Sequence, residues 1–106
     1  ATLDETRELF VNGYEIQDIA VERSLTPATI INHLAKLQRE QGLDISVANP
    51  GEEVVEQVRK IYKKLLKRQD AQNFSEDGNI KLRPIVEMTS PKMGYDQVRL
   101  ALLFIE

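Results

Sequence analysis

An all-α fold is predicted for this chain of 106 residues, on three observations. Apolar residues recur from end to end at the three- and four-residue steps of a buried helical stripe. The stretches that carry them are bounded by hydroxyl caps, prolines and glycines. Strand signals are weak, because β-branched residues are scattered and no alternating run is closed by a two-residue hairpin turn.

The elements follow in order. Thr2 and Glu5 have the spacing of a capping box, and Leu3, Thr6, Leu9 and Phe10 then share one face, so a first helix is expected from about Leu3 to Asn12, with Gly13 as its stop. Ile16, Ile19 and Ala20 give a short second helix from about Glu15 to Arg23, broken by Ser24 and Leu25. Thr26 followed by Pro27 is a strong start signal, since a hydroxyl cap precedes a proline where the missing N–H costs nothing. Ile30, Leu34 and Leu37, with Ile31 beside them, form the inner stripe of this third helix, which Gly42 closes. The result is a three-helix helix-turn-helix core, and "LDISVANPG" is too short to add a two-stranded wing.

Asn49 and Pro50 repeat the cap-then-proline device and are expected to open a long basic helix reaching about Arg68. Its apolar face is Val54, Val55, Val58, Ile61, Tyr62, Leu65 and Leu66. A polar loop, "QDAQNFSEDGN", follows, with Phe74 as its one anchor. Two further helices are expected, over Leu82–Met88, where Pro84 is tolerated only in the first turn, and from about Tyr95 to Ile105. The length fits one domain, with residues 1–45 as the helix-turn-helix subdomain and 46–106 as a helical extension. Starting on Ala and ending on "ALLFIE", the chain is expected to be part of a larger parent protein.

Composition narrows the function. With 42% hydrophobic and 29% charged residues, the chain reads as a folded globular protein. No apolar run is long enough to cross a bilayer and no secretory signal opens the chain, so a cytoplasmic location is expected. The absence of cysteine excludes disulfides and thiolate metal sites, and one histidine cannot build a multi-histidine site. The adjacent Glu52 and Glu53 point about 100° apart and suit a helix N-terminus better than shared chemistry. Catalysis by this chain is not expected, and no cofactor or metal is implied. Net charge is −3, unevenly spread: residues 1–50 hold eight acids against four bases, and residues 51–106 hold nine against ten. An acidic first half counts against strong nonspecific DNA binding.

Two sets of residues are candidates for binding. With Ile30, Leu34 and Leu37 inward, the third helix turns Ala28, Thr29, Asn32, His33, Lys36 and Arg39 outward. Small residues at its start allow close approach to a groove, Asn32 has the amide that pairs with an adenine edge, and Lys36 and Arg39 suit phosphates. Backbone N–H groups from Thr26 to Thr29 suit a phosphate as well. The same pattern also describes the plain solvated face of a capped helix, and chemistry alone leaves both readings open. For His33, packing or hydrogen bonding is favoured over direct ligand contact. On the fourth helix Lys60, Lys63, Lys64 and Lys67 line one side, fit either for a phosphate backbone or an acidic partner, or for solvent.

The segment "TLDETRELFVNGYEIQDIAVERSLTPATIINHLAKL" resembles the helicase helix-turn-helix domain found at the C-terminus of bacterial RecQ-type DNA helicases and in YpbB-like proteins. The matching letters include Thr2, Thr6, Leu9, Phe10, Gly13, Ile19, Ala20, Arg23, Leu25, Thr29, Ile30, His33 and Leu34. Near the other end "GYDQVRLAL" is similar to the family's closing segment through Tyr95, Val98, Arg99 and Leu100, with Asp96 where that segment has a glycine. The resemblance implies an accessory domain that binds duplex or junction DNA for a RecQ-type helicase. The alternative is a module that docks a helicase or repair protein through its acidic first helices.

Overall fold

The computed structural model describes residues 2–105, and the chain divides into two compact units between Asn49 and Pro50. The fold is all-α. Among the described residues the only β pairing is a single bridge between Phe74 and Ile80. The division falls later than the expected boundary after residue 45, because Ile45 is buried and Ser46–Ala48 close into a 3-10 turn of the first unit. The Asp44 carboxylate accepts the Ser46 N–H at 2.9 Å and starts that turn, so the segment is helical and no wing forms.

The first unit holds α1 (Thr2–Val11), α2 (Ile16–Arg23) and α3 (Pro27–Gln41). Its core is Phe10, Ile19, Ala20, Ile30, Ile31, Leu34, Leu37 and Ile45, drawn from all three helices and the segment after α3. α3 packs against both of the others because its buried side is the widest, with four apolar residues inside. The expected capping box on α1 does not form among the described residues. Thr2 is already helical, and Glu5 turns its carboxylate to Arg23 instead of back to the chain start. Gly13, at φ +95°, lets the chain reverse between α1 and α2 at a value that side-chain-bearing residues rarely adopt.

The second unit holds α4 (Glu52–Arg68), α5 (Leu82–Met88) and α6 (Tyr95–Ala101), followed by a 3-10 turn over Leu102–Phe104. α4 begins two residues after Pro50, since Gly51 takes φ +115° and its carbonyl accepts the Val55 N–H at 3.0 Å. Glu52 and Glu53 then occupy the first turn and Lys67 and Arg68 the last, each complementing the helix dipole. Val55, Val58, Ile61 and Leu65 enter a core with Ile80, Ile85, Val86, Val98 and Ala101, and Tyr62 and Phe74 pack against it. Leu66 does not join them and is exposed, one step past the buried stripe. The last helix ends at Ala101, where the chain tightens into the 3-10 turn. Asp96, in its first turn, pairs with Arg99 at 2.6 Å. The loop from α5 to α6 is tied to α4 through Gln57, whose side-chain oxygen accepts the Ser90 N–H at 2.8 Å. No helix of the described residues is long and apolar enough to cross a membrane.

Candidate nucleic-acid interface

The turn between α2 and α3 takes three residues. Ser24 adopts φ 56°, the left-handed conformation more often given to glycine, and two backbone bonds lock it: its N–H to the Val21 carbonyl at 3.2 Å and the Leu25 N–H to the Ala20 carbonyl at 2.9 Å. Thr26 then caps α3, its hydroxyl accepting the Thr29 N–H at 3.2 Å and lying 3.0 Å from the Thr29 hydroxyl. Gly42, at φ 66°, closes the other end. α3 is thus a rigid rod with both ends satisfied.

Asn32, Lys36 and Arg39 are exposed on this rod and hold no hydrogen bond or ion pair among the described residues. Ala28 and Thr29 are half-buried at its start. Thr26 is exposed, but its hydroxyl is occupied by the cap. His33 departs from the outward set: it is half-buried, and its Nδ1 lies 2.8 Å from the hydroxyl of Thr6 on α1. The physical reason is angular. His33 sits on the flank of α3, nearer to the buried side than Asn32 or Lys36, and α1 closes over that flank.

Thr6 is fully buried, and its oxygen is the meeting point of three helices. Arg23, from the last turn of α2, donates to that oxygen and to the Thr2 carbonyl at 2.7 Å, and pairs with Glu5 at 3.1 Å. The Arg23 side chain is only 10% exposed while Glu5 is 67% exposed, so the hydrogen bonds inside matter more than the ion pair outside. Sequence reasoning did not reach Arg23 as a functional residue. The available signal was Thr6, a hydroxyl on an otherwise apolar stripe, which burial obliges to find a partner.

Burial is the leading cause that lowers the His33 pKa from its ordinary 6.5, and the charges of Arg23 and Lys36 lower it further. Between the lowered value and 6.5 the unfolded chain therefore binds the extra proton. The His33 contribution to stability is fully present above pH 6.5 and is lost as the pH falls through its lowered folded-state pKa. Urea melts taken on either side of that pH are expected to lose midpoint on the acid side, and His33→Asn is expected to reduce the loss; equal losses in the two proteins would refute the assignment.

In the second unit Lys60, Lys63, Lys64 and Lys67 are all exposed on α4, and none is in an ion pair among the described residues. The same side carries acids toward the helix start: Glu52, Glu53 and Glu56 border an open surface hollow with Gln57 and Lys60. Arg59, which flanks the row, is already paired with Glu56. The positive stripe therefore belongs to the second half of the helix and not to its whole length. The two candidate sets lie in different units, and each stands on its own geometry.

A family model described as a helix-turn-helix domain matches residues 2–102. The chain belongs to this helix-turn-helix domain family. The domain is also similar to a protein named ATP-dependent DNA helicase Pif1 from Psychrobacter sp. (strain PRwf-1), at 30% identity over 122 aligned residues. That alignment takes in 100% of this chain and 18% of the relative, so the domain spans less than a fifth of the helicase it resembles. No solved structure matches the chain. The family match covers both units of the helix-turn-helix domain, the lysine-bearing α4 included.

Proposed function

We propose that this helix-turn-helix domain is a DNA-binding accessory of an ATP-dependent DNA helicase. The observation that carries the reading is the outer row of α3, where Asn32, Lys36 and Arg39 stand exposed and unpaired on a helix capped at both ends. The three-residue turn from α2 supports it, being the connection by which such motifs hold a helix out for the major groove. Asn32 reads an adenine edge, Lys36 and Arg39 contact phosphates, and Lys60, Lys63, Lys64 and Lys67 add backbone contact from the second unit. Thr26, Ala28 and Thr29 bring the helix start close to the strand. The similarity to a protein named for a DNA helicase supports the setting. A RecQ-type motor is the finer form of this proposal, carried by the resemblance of the segment from Thr2 to Leu37 and of the closing segment around Tyr95.

The exposed acids of α1 and α2 favour a second reading. Asp4, Glu8, Asp18 and Glu22 are all exposed, as is Val21 at 80%, a composition suited to a basic protein surface. Binding of a mixed-sequence duplex, followed across a salt series, separates the two. The DNA reading expects a log–log slope of about −0.9 for each phosphate contact. Asn32→Ala should change preference among sequences by about 1–3 kcal/mol at one base position. Absence of binding at low salt would end the DNA reading and leave protein docking.

A further inference from the structure

We infer that the Arg23–Thr6–His33 relay fixes His33 as a neutral imidazole whose Nε2–H donates to a DNA phosphate, beside the charged contact of Lys36. This rests on the DNA reading above and assigns one of its phosphate contacts to an uncharged group. The direction of the relay follows from proton counting. A guanidinium can only donate, so the Thr6 oxygen accepts from Arg23; the proton of this fully buried hydroxyl then has no acceptor among the described residues other than His33 Nδ1, and it turns there. An Nδ1 that accepts carries no proton, which places the ring proton on Nε2.

Nε2 is not sealed from solvent. Among the described residues no buried side-chain nitrogen or oxygen lacks a hydrogen-bond partner, and the one bond of the His33 ring is at Nδ1. The exposed edge of the ring lies in the field of two positive charges, Arg23 from α2 and Lys36 from α3, while Glu5 of α1 is engaged by Arg23. Such an edge suits an anionic acceptor with several oxygens, and a duplex offers one at every phosphodiester. Lys36 follows His33 by three residues, on the same side of the helix and nearer the outer row.

A neutral donor releases no condensed counterion, so its share of the affinity does not change with salt, whereas that of Lys36 does. The test uses the ¹⁵N-labelled chain and a mixed-sequence duplex at low salt, at a pH well above 6.5. The free protein should give the imidazole pattern of a bare Nδ1 and a protonated Nε2, and the duplex should shift the Nε2–H resonance. His33→Asn keeps an acceptor toward Thr6 but lacks the outer donor; it should bind about tenfold more weakly with an unchanged salt slope. Lys36→Gln should instead lower the slope by about 0.9. The wild-type resonance keeps the test decisive if His33→Asn fails to fold. A proton on Nδ1 in the free protein overturns the inference, as does duplex binding that leaves Nε2–H unmoved. If the wild-type chain shows the expected tautomer yet binds no duplex, the DNA reading itself has failed and the relay is purely structural.

Discussion

Replacing Lys63 and Lys64 together by glutamine is expected to weaken binding to a mixed-sequence duplex by about 60-fold in about 0.1 M salt, if each lysine holds one phosphate. The estimate comes from counterion release: a slope of about 0.9 per contact makes each contact worth about eightfold at that salt relative to 1 M. The log–log slope should fall by about 1.8, and every sequence should be affected alike, because phosphates carry no base information. Glutamine is chosen because it removes the charge while keeping helix propensity close to that of lysine. Both lysines are exposed on α4, outside its buried stripe of Val55, Val58, Ile61 and Leu65, so helicity should be unchanged. An unaltered slope would remove this row from the interface and confine the DNA reading to α3.

Leu34→Ala is expected to cost the first unit about 3 kcal/mol. Leu34 is completely buried at the centre of α3, the helix on which the other two pack, and truncation leaves a cavity that a three-helix core cannot collapse around. A unit of this length holds a total stability of only about 2–7 kcal/mol, so a large share would be lost. Amide exchange reports it directly: protection of the slowest α3 amides should fall by about a hundredfold. Gln38→Ala, on the exposed part of the same helix, should stay within about 0.5 kcal/mol and serves as the control. Equal protection in Leu34→Ala and wild type would mean that the core around α3 is not what holds the unit together.

The ends of α3 were legible because their determinants are local. Thr26, Pro27 and Gly42 act within a few bonds of the atoms they satisfy, and the Ile30–Leu34–Leu37 period fixes the buried side. The exposure of Asn32, Lys36 and Arg39 follows from that same period. The start of α4 was misplaced for a backbone reason: Asn49 and Pro50 look like a cap and a first residue, but the positive φ of Gly51 delays the helix to Glu52. The orientation of His33 lay beyond local reading. Its partner Thr6 is 27 residues away and Arg23 is 17 residues from Thr6, so the relay exists only once three helices have met. Leu66 marks the limit of periodicity, since apolar character does not decide which of two adjacent residues reaches the core.

The segregation of charge along α4 also acts before contact. Glu52, Glu53 and Glu56 lie toward one end of a rod about 25 Å long, and Lys63, Lys64, Lys67 and Arg68 toward the other. In the field of a polyanion such a rod experiences a torque as well as a pull. Its cationic tip is swung inward and its anionic tip away, so the angle of arrival is chosen during diffusion, within about one Debye length of the surface.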